Sequence, residues 1–191
     1  MYYWISFIIL KIIGWKITGP FPRDVKKKIL VAAPHTSNWD FPIGICIRGI
    51  LRDKIKYVGK ASLFKPPFGW LLKKMGGVPV DRSKSNNFVE AVTQLFNERE
   101  ELSILFAAEG KRKKVDKFKT GFYYIAQKAN IPIVPTILDY DKKEFRFEKM
   151  IWPSDDAEAD IEKIENIFKG IRGYHADYSF HYTGSEPKTK R

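Results

Sequence analysis

The chain holds one cysteine, Cys46, and three histidines, His35, His175 and His181, in 191 residues. A single thiol excludes an intrachain disulfide framework and a cysteine metal cluster, and it fits a reducing compartment. Two of the histidines lie near a polar C-terminus, so an imidazole-based metal site has too few ligands and no metal is expected. No Gly-x-Ser-x-Gly occurs, so the usual sign of a serine nucleophile is missing. Acidic residues number 22 against 34 lysines and arginines, a net charge of +12. That excess predicts an anionic partner: a lipid surface, a phosphorylated substrate or nucleic acid. With neither an aromatic RNA-binding motif nor a zinc module, no nucleic acid is expected. No internal repeat or linker divides the chain, and its length suits one domain.

Long apolar runs are missing too. The most hydrophobic stretch, Tyr2 to Ile17, reads YYWISFIILKIIGWKI and is interrupted by Lys11 and Lys16. It is shorter than the roughly 20 apolar residues that a spanning helix needs. It also lacks the basic start and small-residue cleavage site of a secretory signal. Such a segment predicts a helix lying in the membrane interface, with Tyr2, Tyr3, Trp4 and Trp15 at headgroup level and the lysines on anionic phosphates. The alternative is a helix packed on the protein's own core. The expected organisation is an interfacial helix over 1–18, a globular domain over 19–182 and a polar tail over 183–191. A protein built so would sit peripherally on the cytoplasmic face of a membrane, in contact with membrane lipids. Gly19-Pro20-Phe21-Pro22 ends the helix, and Lys26-Lys27-Lys28 reads as a solvated basic face.

Further on, short apolar runs alternate with amphipathic segments. Strand character is found from Ile29 to Ala33, Ile55 to Gly59, Gly77 to Val80, Leu102 to Phe106 and Ile131 to Leu138. Glu144 to Glu148 alternates as an edge strand would. Pro42 is tolerated only in a helix's first turn, which predicts a helix with its cap at Trp39 or Asp40 and Cys46 among its core residues. Other helices are expected over Phe68 to Leu72, from a cap at Asn86 or Asn87 to about Asn97, over Phe118 to Ala129, and from Asp155 to Phe168.

Several strand ends carry reactive groups. After the first comes Pro34-His35-Thr36-Ser37-Asn38-Trp39-Asp40. Inside one regular helix, His35 and Asp40 would point roughly 140° apart. With His35 in the turn and Asp40 at the helix start, they can meet. A neutral imidazole beside a carboxylate is the minimal device for taking a proton from a hydroxyl. On spacing alone the plainer reading, Asp40 as a helix cap in Ser37-x-x-Asp40, competes with it. Gly76 to Arg82 is a glycine turn into a strand ending in a guanidinium, and Glu109-Gly110-Lys111-Arg112-Lys113-Lys114 follows a buried strand. Both suit capture of a phosphate or carboxylate, and ligands of open α/β sheets bind where strand ends converge.

Together these stretches resemble the glycerolipid acyltransferase family, whose best-known members are the 1-acylglycerol-3-phosphate acyltransferases. His35 and Asp40 in HTSNWD match its His-x4-Asp block, and Gly77 to Arg82 its glycine, apolar strand and arginine. Ala107 to Lys113 meets the block Phe-Pro-Glu-Gly-Thr-Arg-Ser, with alanine for both Phe and Pro and Lys111 for Thr. Ile133-Val134-Pro135 matches the fourth block. The resemblance implies an α/β domain with a central mixed, mostly parallel sheet flanked by helices, and an N-terminal membrane-interfacial helix. It implies an acyltransferase in which His35 and Asp40 are catalytic. Arg82, Glu109, Gly110, Lys111 and Arg112 would bind the acceptor. It needs no cofactor, with acyl-CoA or acyl-carrier protein as donor and a lysophospholipid, 1-acylglycerol-3-phosphate above all, as acceptor. The departures in the third block leave room for another lysolipid, such as a lyso-aminolipid, or for a non-catalytic basic lipid-binding protein on the same fold.

Overall fold

The strand Lys27–Ala33 (β2) lies at the middle of the molecule, and its residues explain why. Successive side chains of a strand face opposite ways, and here both sides are apolar: Ile29, Val31 and Ala33 enter one core layer, Leu30 the other. Strands buried on both faces belong to parallel sheets covered by helices. The structure, a computed structural model, describes residues 2–80 and 85–181, the side chains of 85–87 excepted.

The elements in chain order are α1 (Tyr2–Ile13), β1 (Lys16–Thr18), β2, α2 (Asp40–Leu51), β3 (Ile55–Lys60), α3 (Gly69–Lys74), β4 (Gly77–Val80), α4 (Ser85–Asn97), β5 (Leu102–Ala107), α5 (Gly121–Ala129), β6 (Ile133–Asp139), β7 (Glu144–Phe147) and α6 (Ala157–Ile167). The seven strands form one sheet in the order β1-β7-β6-β2-β5-β3-β4. Only the β6–β7 pair is antiparallel. The mixed, mostly parallel sheet flanked by helices agrees with the expected fold class.

Apolar faces of α4, α5 and α6 cover one side, where Val92, Phe96, Phe122, Ile125, Ile164 and Phe168 meet β5 and β6. On the other side Ile43, Ile47 and Leu51 of α2 pack on Leu30, Val134 and Leu138, with Leu10 of α1 and Trp15 beside them. The chain therefore leaves β2 for one face and β5 for the other. That divergence opens a crevice at their carboxyl ends, where open sheets hold ligands.

Several expectations need correction. The N-terminal helix stops at Ile13 rather than Ile17, where Gly14 at φ 77° turns the chain. Lys16–Thr18 then joins the sheet as β1, in register with Glu144–Arg146. These three residues thus belong to the sheet, and Trp15 is buried against Tyr140 rather than at headgroup level. β7 is accordingly an inner strand, and its charges pair with one another: Arg146 Nη1 lies 3.0 Å from Glu144 Oε2 and its Nε 2.7 Å from Glu148 Oε1. Lys28, expected on a solvated face, is 2% exposed, with Nζ 3.1 Å from Asp53 Oδ2 and 4.9 Å over the Phe21 ring. Helix α4 begins at Ser85, so Asn86 and Asn87 lie inside it. Helix α5 starts at Gly121, three residues later than expected, because Phe118 is held in the preceding loop. The tail 183–191 lies outside the described residues.

Helix α1 uses only a narrow stripe to pack. Ser6 and Leu10 are buried, Tyr2 Oη donates to Ile45 O at 2.8 Å, and Gly49 leaves room for Ser6 and Tyr2, which a β-carbon there would strike. Trp4, Ile5, Phe7, Ile8, Ile9 and Ile12 stay exposed. Among the described residues no helix is long and apolar enough to cross a membrane.

Candidate active site

His35 and Asp40 meet because the strand ends before one and the helix begins at the other. Their distance is 2.9 Å between Nδ1 and Oδ2. Trp39 is the N-cap of α2 and uses no side-chain bond. The Ser37-x-x-Asp40 pattern closes the turn before the helix rather than capping it: Oδ2, which faces His35, also accepts from Ser37 N at 2.9 Å, and Ser37 Oγ accepts from Trp39 N at 3.1 Å. Asp40 is thus the pivot of the turn. Thr36 is buried beneath residues 173–175, its Oγ1 accepting from His175 N at 3.1 Å.

Tyr140, one residue beyond β6, completes the group and escaped the sequence reading. Its hydroxyl donates to Asp40 Oδ1 at 2.6 Å. Its ring stands between Trp15 and Tyr174 at centroid distances of 4.9 and 5.5 Å. Burial, then the hydrogen bond to the Asp40 carboxylate, drives the Tyr140 pKa far above its ordinary value, so the phenol stays a donor. No local pattern marks Tyr140. It could have been found only by noting that another parallel strand, β6, ends beside β2.

Asp40 therefore accepts at both oxygens, from Tyr140, Ser37 and His35. Since Nδ1 faces that carboxylate, it carries the ring proton and leaves the Nε2 lone pair open. Arg112 Nε donates to that lone pair at 3.2 Å. A hydroxyl brought to the same place could give its proton there.

Glu109 differs from its expected part. It is 1% exposed, and its Oε1 accepts from His35 N at 2.7 Å, from behind the turn. Its Oε2 is buried with no hydrogen-bond partner among the described residues. Glu109 fixes the His35 turn from behind and is a positioning residue. Burial pushes its carboxyl up to about 7, against the pull of the His35 N–H bond, which favours the ionised form. An acid whose pKa is raised by folding holds its proton more tightly when folded. Its contribution to stability is therefore full at low pH and is lost as pH rises from about 4.5 to about 7. Glu109→Gln removes that titration, so its melting temperature relative to the wild type should climb across this interval. Thermal unfolding at a series of pH values checks it; a constant difference would mean that Glu109 does not titrate there.

Gly110 follows at φ 69°, where only glycine is unstrained, and a β-carbon would press on Lys119. The turn it makes sends Lys111, Arg112, Lys113 and Lys114 to the surface, with Lys111 and Arg112 near His35. This basic loop is pinned at its far end. Lys119 N donates to Ala108 O at 2.9 Å, Phe118 N to Glu165 Oε1 at 2.7 Å, and Phe118 packs on Phe168 and Phe180. Arg82 lies outside the described residues.

Behind the site a cavity of about 700 Å³ runs between the sheet and α2. His35, Lys111 and Arg112 stand among its lining residues, and Leu30, Ile47, Ile55, Leu105, Leu138 and Phe147 make much of the rest apolar. A base, an oriented carboxylate and cations beside an apolar cavity suit a substrate with an anionic head and a hydrocarbon chain.

Comparison with known proteins agrees. A family model described as Acyltransferase matches residues 15–139, which takes in His35, Asp40, Glu109 and Arg112 and stops one residue short of Tyr140. Over 133 residues the chain is 30% identical to the 1-acyl-sn-glycerol-3-phosphate acyltransferase of Haemophilus influenzae, covering 65% of this chain and 54% of that one. Over 146 residues it is 27% identical to the protein of the same name from Escherichia coli, covering 72% and 58%. The chain spans about half the length of the curated relatives it matches. Among solved structures, the 1-acyl-sn-glycerophosphate (LPA) acyltransferase PlsC from Thermotoga maritima shares the fold, with a TM-score of 0.56 at 15% identity over 87% of this chain and 74% of that one. With the model match spanning most of the sheet and the His35 site inside it, the chain belongs to the acyltransferase family.

Proposed function

We propose that this chain moves a fatty acyl group from a thioester, acyl-CoA or acyl-carrier protein, to the hydroxyl of a lysophospholipid, 1-acylglycerol-3-phosphate, in membrane phospholipid synthesis. The observation that carries this is the His35 imidazole, fixed on Asp40 with Nε2 beside Arg112 at an apolar cavity. The names of the relatives point to the same acceptor.

In this mechanism the acceptor hydroxyl displaces Arg112 Nε from His35 Nε2. The imidazole removes its proton as the oxygen bonds to the thioester carbonyl carbon. Collapse of the tetrahedral adduct breaks the C–S bond, and the imidazolium returns the proton to the leaving thiolate. Asp40 holds the ring and steadies the imidazolium between these transfers. The ester product forms without an acyl-enzyme. The acyl chain lies in the cavity, while Arg112 and Lys111, with Arg82 by resemblance, hold the acceptor's phosphate. Exposed apolar residues of α1 and the net positive charge favour peripheral attachment at the cytoplasmic face of the membrane.

Incubation of purified protein with labelled acyl donors and a panel of lysolipids tests the proposal. Acylation of 1-acylglycerol-3-phosphate is expected. Acylation of only a zwitterionic or amino-acid lysolipid would keep His35 as base but overturn the acceptor. Tyr140→Phe tests the third member of the group. It keeps the ring between Trp15 and Tyr174 and removes one donor to Asp40, so turnover should fall about 3- to 10-fold, the worth of roughly 1 kcal/mol. Its KM values should stay near those of the wild type, which steady-state kinetics can check.

A further inference from the structure

The 27 residues from Lys54 to Val80 contain six lysines and no acidic residue. Midway through them a 3-10 turn, Ala61–Phe64, leads by way of Lys65-Pro66-Pro67-Phe68 into α3. This short piece turns Leu63, Phe68, Trp70 and Leu71 outward, with Phe68 69% and Trp70 66% exposed. Folding does not require that exposure. The segment is already fastened by Phe64, packed against Gly59 and Gly77, and by the Tyr57 hydroxyl, which donates to Leu72 O at 3.2 Å. Large apolar side chains gathered on a surface mark an interaction site.

Two further observations identify the partner. The first is charge: Lys60, Lys65, Lys73 and Lys74 are all exposed around the patch, and tryptophan and phenylalanine framed by lysines is the composition that sits at a bilayer's headgroup level. The second is position. Lys60, Leu63 and Phe64 line the cavity that reaches His35. Arg48 of α2 also donates to Met75 O just after α3, while Tyr2 of α1 donates to Ile45 O of the same helix. The patch and α1 are thus both tied to α2, on the same side of the sheet.

We propose that residues 61–74 form a second membrane contact, which sets Phe68 and Trp70 among the headgroups of an anionic bilayer and brings the Leu63 edge of the cavity against it. Two contacts joined through α2 fix the orientation of the protein, which one amphipathic helix would leave free to rotate. The cavity then opens toward the lipid, so a chain can enter it without crossing water. This inference is independent of which lysolipid is acylated.

The test uses the full chain with Cys46→Ala and Trp70→Cys, labelled with an environment-sensitive fluorophore. Vesicles of phosphatidylcholine with phosphatidylglycerol should shift its emission to the blue, and brominated lipid should quench it. An unshifted probe on protein that sediments with those vesicles would overturn the proposal, since α1 alone would then hold the membrane. A shift that grows with protein concentration in the absence of vesicles would also overturn it, in favour of contact between copies of the chain. In parallel, the unlabelled Phe68→Ser/Trp70→Ser protein should bind the anionic vesicles about tenfold or more weakly. Its melting temperature, and its turnover of a short-chain acceptor dissolved as monomer, should match the wild type. Vesicle binding equal to that of the wild type would sink the idea whatever the enzyme assay gives.

Discussion

A His35→Ala protein should fold as the wild type does and transfer acyl groups about 10²- to 10⁴-fold more slowly, the usual worth of a positioned general base. The fold is expected to survive because the half-buried imidazole is held by Asp40 and Arg112, while the turn itself is fixed through backbone N–H groups, His35 N on Glu109 and Ser37 N on Asp40. Asp40→Asn should lower turnover by a smaller factor, for a reason visible only in the structure. Its amide can turn its oxygen to His35 Nδ1 and its NH2 to the Tyr140 hydroxyl, which can accept as well as donate. The ring then keeps its tautomer and loses only the charge that steadied the imidazolium. Combining Asp40→Asn with Tyr140→Phe removes that choice, so the pair should cost more than the two single changes together. Near-normal transfer by a folded His35→Ala protein would exclude the mechanism; circular dichroism and initial rates decide it.

Arg112→Ala should raise the KM for 1-acylglycerol-3-phosphate about 10- to 100-fold, because a charged hydrogen bond worth about 1.5 to 3 kcal/mol is removed. The donor's KM should change little. Arg112 Nε lies on His35 Nε2, and under the proposed mechanism the guanidinium has two places to be: on the base when the acceptor is absent, on the phosphate when it is present. Losing it leaves the base unmasked, so turnover at saturating acceptor should stay close to the wild-type value. If instead turnover falls while the acceptor KM is unchanged, Arg112 acts on His35 rather than on the phosphate. An acceptor that lacks the phosphate separates the same readings, since it should be handled alike by both proteins.

The parts of this molecule that were readable from the chain are those set by local rules. Short apolar runs gave strands β2, β5 and β6, and an alternating one β3, to within a residue or two, and Pro42 located the start of α2. Where the reading failed, a distant partner had overridden the local signal. β1 is three residues long and exists because β7 is there to pair with it. β7 looked like an edge because its glutamates and arginine alternate with phenylalanines, yet those charges satisfy one another and Thr18 inside the sheet. Lys28 sits in a run of three lysines and is buried because Asp53 and Phe21 happen to reach it.

The same division runs through the site. Sequence by itself determined that His35 and Asp40 would share a strand-to-helix turn, that Glu109-Gly110 would follow a second buried strand, and that cations would come after it. These follow from chain connectivity, since five residues across one turn can bring only near neighbours together. Tertiary structure alone decided which groups each of them meets. It brought Tyr140 across 100 residues onto Asp40 and aimed Glu109 across 74 residues at the His35 backbone. It also placed Arg112 on the outer nitrogen of His35. The physical reason is the parallel sheet: it lines up the carboxyl ends of β2, β5 and β6 side by side, so groups remote along the chain arrive at one crevice. Which of them touch is then fixed by register, and register depends on packing on both faces of the sheet rather than on any short stretch of sequence.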